Sequence, residues 1–394
     1  MKSISLLFTL LITTLLAACN QEATPPQDQA SMSAPPAAME AGKPELGDWG
    51  VNLNNRDLAI NPGDDFFRFA NGTWLNEFEI PADRSRFGAF DILSKQSSER
   101  VNTIIQDLVN SEPAIDSMEQ KIADYYQSYM DVETLNSLGV EPLRDALAAI
   151  NEIDSVAELV QAFGRSQLDT TASPFGFGIS PDRVDPDWHQ LSISVGGISL
   201  PDRDYYLLDE QRFVDIRNAY HSHIIRMLDF SGMEDTDLMA DAIVELETRI
   251  AETMWPRDQR RNRDLTYNPM SYADFKAAYP GFNWDAFFAA AGVEGLEDLN
   301  VSFPSAMSPL IDIINSTSLD DWQAFLAYKL ISNNAGILSE DIDNENFQFY
   351  GTVLNGIPQQ RERWERGVMS VGSLNSLGEA LGQIYVQRHF PESA

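Results

Sequence analysis

Residues 101–129 read VNTIIQDLVNSEPAIDSMEQKIADYYQSY, and two helices are written in them. Val101, Ile104, Ile105, Leu108 and Val109 fall at i, i+3, i+4, i+7 and i+8. Met118, Ile122, Tyr125, Tyr126 and Tyr129 repeat the stripe. At 3.6 residues per turn each set lies along one face, so each segment is an amphipathic helix with an apolar side to bury.

The same period continues outward. Pro142 sits where a first-turn proline is tolerated, ahead of Leu143, Leu147 and Ile150. Asp154 or Ser155 can cap a helix carrying Val156, Leu159, Val160 and Phe163. A long helix is predicted over 236–255, ending at Pro256, with others near 213–229, 321–332, 358–369 and 374–388. One stretch departs from the pattern. Phe175, Phe177 and Ile179 alternate, and after a Pro- and Asp-containing connection Leu191, Ile193 and Val195 alternate again, which predicts a small β-hairpin among helices. The expected fold class is mainly α. No repeat of solenoid length is present, and no interior Pro/Gly linker divides the body.

A chain of 394 residues, 43% hydrophobic and 10% aromatic, is long enough to bury a sizeable core as one large domain or two ordinary ones. Its 27 Lys+Arg against 60 Asp+Glu give a net charge of -33, which repels phosphate backbones. Nucleic acid is excluded as an expected partner.

Lys2 and the apolar run 4–16 form an export signal, too short to span a bilayer as a stable helix. The run ends in Leu16-Ala17-Ala18-Cys19, which resembles a bacterial lipobox, and Cys19 is the only cysteine. The expected organisation is a signal peptide over 1–18, then a lipidated Cys19 and an Ala/Pro/Gln-rich tether over 19–46. The tether has too little apolar surface to fold, and a body occupies 47–394. Asn20 resembles the pattern of lipoproteins sent to the outer membrane, so the expected location is the cell envelope, facing the periplasm.

Four further blocks occur in order. The first is NPGDDFFRFANGTWL at 61–75 with Ile80-Pro81 and SRFGAFD at 85–91. GISLPDRDYYL follows at 197–207, then Arg263-Asp264 with Tyr267-Asn268, then 378–391 with Leu381-Gly382, Tyr385-Val386 and Phe390-Pro391. Together they resemble the amino-terminal, non-catalytic half of the neprilysin and endothelin-converting-enzyme family of zinc metallopeptidases. That resemblance implies a multi-helix lid that encloses oligopeptides, cut on the amino side of hydrophobic residues. It also implies that Arg86 reaches into the substrate cleft to bind a peptide's free carboxylate while Asp91 holds it in place. Guanidinium forms bidentate, charge-assisted bonds to carboxylate and needs its orientation fixed, which suits this division. The residues alone leave an alternative, in which Asp91 is a helix N-cap and Arg86 a surface charge. Trp74, Phe66 and Tyr206 are expected in the core, Asp202 in a turn or helix cap, and Arg203 paired with a neighbouring carboxylate.

The zinc site of such an enzyme needs His-Glu-x-x-His, which places two imidazoles one turn apart with a glutamate to deprotonate the metal-bound water. None of the four histidines fits: His221 and His223 are two apart, and His189 and His389 stand alone. Asn218-Ala219-Tyr220 and the segment 141–145 copy a substrate-gripping motif and a third-ligand spacing, but in the wrong order. The cluster Arg257, Arg260, Arg261 and Arg263 suits a salt-bridged face better than a peptide site. No Gly-x-Ser-x-Gly elbow, phosphate loop or dinucleotide fingerprint occurs. The expectation is therefore a substrate-enclosing half with no catalytic residue, metal ligand or cofactor of its own, zinc belonging to a catalytic half beyond Ala394 or on a separate chain. The alternatives are a lipid-anchored peptide-binding or interaction protein without catalysis, and a structural envelope protein.

Overall fold

A computed structural model describes residues 52–373 and 375–390. Contacts divide the chain into Met1–Asn52 and Leu53–Ala394, and the second unit is the one described below. The signal peptide, Cys19, the tether and the start of the body at Asp48 and Trp49 lie outside the described residues.

Seventeen α-helices and four short strands make up the described fold. The predicted helices appear as Ala89–Asn110, Met118–Met130, Arg144–Asn151, Val156–Arg165, Gln211–Asp229, Thr236–Thr253, Leu319–Asn334, Arg363–Val371 and Gly378–His389. Local chemistry sets several of their ends. Ser117 and Ser155 each accept from the amide three residues on, and Glu158 reaches back to the Asp154 amide at 2.9 Å, so Ser155 is the cap. The helix predicted from 358 begins only at Arg363, because the Gln359 N–H is engaged at 3.1 Å by the Ala82 carbonyl instead of entering a helical ladder.

The hairpin is part of a larger sheet. Strands β1 (Phe175–Pro181) and β2 (His189–Val195) form the predicted hairpin and pair antiparallel, with Phe175 opposite Val195. Strands β3 (Pro269–Ser271) and β4 (Asp298–Val301) extend it to the order β1-β2-β4-β3, with β2 and β4 parallel. The Tyr267-Asn268 motif lies just before β3: the Asn268 amide donates to Asn300 on β4 at 2.6 Å, and Tyr267 donates to Asp182, just past β1, at 2.9 Å.

The main core packs the sheet against helices through Phe175, Trp284, Phe287, Trp322 and Phe325, all buried. At Gly164 the helix Val156–Arg165 meets Trp284–Ala290 so closely that a Cβ would overlap the Phe287 carbonyl and lie 2.8 Å from the Ala290 Cβ. A second core joins Ala89–Asn110 and Met118–Met130 to the last two described helices. Ile104, Ile105 and Leu108 pack with Ile122, Tyr126, Val368, Val371 and Leu381. This small bundle sets the loop 81–88 beside the loop 357–362.

Two readings are corrected. Phe66 is not core: it is 69% exposed at the first position of the helix Phe66–Glu77, which packs by its other end, where Thr73 donates to the Arg56 carbonyl at 2.8 Å. Trp74 is half-buried in a stack with Phe78 and Phe87, and Tyr206 is buried. Asp91 is not the N-cap, a position held by Gly88. It lies within the first turn of Ala89–Asn110, where a negative charge complements the helix dipole.

Candidate functional site

The loop 81–88 and the loop 357–362 face each other across a cavity of about 550 Å³. Asp83, Arg84, Ser85, Arg86 and Asp91 line one side; Tyr350, Gly351, Gln360, Arg361, Arg366 and Met369 line the other. Arg86 and Asp91 thus share one site. Arg86 is exposed and has no hydrogen bond or ion pair among the described residues. The cation nearest Asp91 is Arg84, with 3.9 Å between Nη1 and Oδ1. Arg84 itself is buried; it donates to Glu365 at 3.0 Å and lies 3.7 Å from Asp83. It clamps the base of the loop that presents Arg86. The sequence gives no cue for Arg84, because its partner Glu365 is 281 positions away.

The far wall is built on a π-helical turn, Gln348–Val353, a geometry that recurs at functional sites. Phe349 points inward and stacks on the buried ring of His223 at 4.8 Å. His223 Nδ1 is 3.0 Å from Glu345, which Arg226 also holds at 2.7 Å. Its Nε2 is buried without a partner among the described residues. Burial pushes the imidazole below its ordinary value against the opposing pull of Glu345. Burial also pushes the Glu345 carboxyl up, but the bonds from His223 and Arg226 outweigh it and hold the group below the usual range.

The motif at 197–207 anchors a polar core rather than a cleft. Tyr206 donates to Glu247 at 2.5 Å and accepts from the Ser199 and Leu200 amides at 3.1 and 2.9 Å. Tyr220 also donates to Glu247, at 2.9 Å, so the Asn218-Ala219-Tyr220 segment serves the interior. Glu141 pairs with Arg144 on the surface. Asp202 is buried and takes Arg257 at 3.3 Å together with Arg260, which gives half of the arginine cluster a salt-bridged role. The expected pairing of Arg203 with a neighbouring carboxylate is corrected: among the described residues it forms no ion pair, its Nε is buried without a partner, and the adjacent Asp202 is taken by those two arginines.

The described histidines do not come together as a zinc site. His221 pairs with Asp241 at 2.9 Å, His223 is stacked in the core, and His389 lies against Tyr385. Among the described residues no group of three or more His, Cys, Asp or Glu is placed to hold a metal ion. No described helix is long and apolar enough to cross a membrane.

Residues 62–394 match the model of peptidase family M13. Among curated proteins, the chain is 23% identical over 364 residues to endothelin-converting enzyme 1 of Rattus norvegicus, covering 87% of this chain and 46% of that protein. It is 26% identical over 360 residues to an endothelin-converting enzyme homolog of Locusta migratoria, covering 86% and 49%. Among solved structures, the zinc metalloprotease Zmp1 of Mycobacterium tuberculosis in complex with inhibitor aligns at a TM-score of 0.81 with 34% identity, over 87% of this chain and 52% of that one. PepO from Lactobacillus rhamnosis shares the fold at a TM-score of 0.68 and 19% identity, over 85% and 52%. The chain spans about half the length of the relatives it matches. With a family match across most of its length and this helical architecture, the chain belongs to peptidase family M13 and carries that family's amino-terminal domain.

Proposed function

We propose that this chain is the substrate-enclosing half of a neprilysin-like zinc metalloendopeptidase acting on oligopeptides, and that Arg86 receives the free terminal carboxylate of the peptide. The observation that carries this reading is the Arg86 guanidinium, exposed and unpaired among the described residues, lining a cavity of about 550 Å³, a size suited to a small ligand. Asp91 supports Arg86 at one remove, because its charge faces Arg84 and helps Arg84 hold the loop. In this reading zinc and the groups that activate water belong to a catalytic half outside these 394 residues, and Cys19 carries a lipid that holds the assembly in the bacterial envelope, at the outer membrane. Family membership supports peptide substrates and proteolysis.

Elemental analysis and peptide hydrolysis test the division of labour. The purified chain is expected to hold no stoichiometric zinc and to cleave nothing, and activity is expected when a half bearing His-Glu-x-x-His is supplied. One tightly held zinc per chain with chelator-sensitive hydrolysis would overturn it.

A further inference from the structure

Four guanidinium groups line the cavity, and the carboxylates around them are not shared evenly. Arg84 takes Glu365 at 3.0 Å, with Asp83 and Asp91 farther off at 3.7 and 3.9 Å. Arg366 takes Asp343 at 2.5 Å, and Arg363 stands 3.9 Å from the same carboxylate. Glu365 and Asp343 are both buried, so these pairs form the floor of the site.

Two cations are left facing the cavity. Arg86 has no charged partner among the described residues. Among the described residues Arg361 has only the Met369 sulfur, 3.1 Å from Nη1, and the Glu365 carboxylate at 3.9 Å, already engaged by Arg84. A thioether is a weak acceptor, so most of the five donors of Arg361 are unsatisfied by protein. Its backbone, by contrast, is fixed. Arg366 Nε donates to the Arg361 carbonyl at 3.1 Å, the Gln360 side chain donates to Asp343 at 2.9 Å, and the Gln359 amide ties this loop to Ala82 on the Arg86 loop. A guanidinium held at its base and open at its tip is prepared for an anion that arrives from outside.

We infer that Arg361 and Arg86 form a two-cation subsite for peptides that end in Asp or Glu, Arg86 taking the terminal carboxylate and Arg361 the side-chain carboxylate. The inference rests on the proposed reading of Arg86. In a chain of net charge -33 an acidic peptide end is repelled at long range, so a local pair of arginines is what makes its binding favourable.

Titration of the full chain with Gly-Gly-Glu, Gly-Gly-Gln and the amide of Gly-Gly-Gln tests this. The Glu peptide is expected to bind roughly 10-fold tighter than the Gln peptide, the scale of one bond to a charged group. Arg361→Gln should erase that preference and leave the Gln peptide unchanged, whereas Arg361→Lys should keep part of it. Arg86→Gln should weaken both free acids and spare the amide. Equal binding of the Glu and Gln peptides to the native chain would overturn the subsite, as would equal losses for both in Arg361→Gln with an unchanged melting curve. If Arg86→Gln still weakens both acids, the reading of Arg86 survives that failure. If Arg86→Gln changes neither, that reading falls as well.

Discussion

Glu247 and Lys329 form an ion pair inside the protein: Nζ lies 3.1 Å from Oε1, with no surface of Glu247 exposed and 7% of Lys329. The pair joins Thr236–Thr253 to Leu319–Asn334, and Ser199, Tyr206 and Tyr220 complete the acceptor capacity of the carboxylate. Burial and the Glu247 charge hold both phenols well above their ordinary value, so they remain donors at all physiological pH.

Removing one partner leaves the other charged and buried. Lys329→Met should cost about 3 to 5 kcal/mol, and the double variant with Glu247→Leu should cost less than the sum of the two single changes. Urea unfolding of the single and double variants checks this; strict additivity would mean that the pair is not coupled.

His223 gives stability a pH dependence of defined sign. Its folded-state value lies below the ordinary 6.5, so the unfolded chain binds the proton first as pH falls. The contribution of the neutral ring is complete above that ordinary value and is lost as pH drops through the folded one. Glu345, held low by His223 and Arg226, adds a loss of the same sign at lower pH. Melting curves between about pH 7 and pH 5 should fall less steeply for His223→Asn than for the native chain. An identical slope would remove His223 from the account.

Much of the architecture is legible in periodicity, because amphipathic stripes such as Ile122, Tyr126 and Tyr129 record which face is buried without saying against what. Long-range pairing leaves no such record. The contact from Arg84 to Glu365 spans 281 positions, and the parallel pairing of β2 with the four-residue β4 is too short to carry a pattern. Glu247 was within reach: it lies on the stripe of Ile243, Leu246 and Ile250, where an acid signals a buried partner. Arg86 and Asp91 are visible as a motif, but the assignment of Asp91 to Arg84 depends on how the loop folds back.

The proposed envelope location rests on Leu16-Ala17-Ala18-Cys19. The mature protein should begin at an acylated Cys19 and fractionate with membranes, and Cys19→Ala should release it or stall its processing. Intact-mass data showing an unmodified, soluble mature chain would leave an ordinary secreted domain.

The role of Arg86 as the reader of the peptide terminus is the central claim, and one comparison tests it directly. With the catalytic half supplied, Arg86→Met should reduce kcat/KM for short free-acid peptides by roughly 10- to 150-fold, the worth of about 1.5 to 3 kcal/mol, while their amidated versions lose little. Asp91→Asn should act in the same direction and less, with melting curves recorded for each variant to exclude general destabilisation. Equal losses on free-acid and amidated peptides, with stability intact, would contradict the account and return Arg86 to the surface.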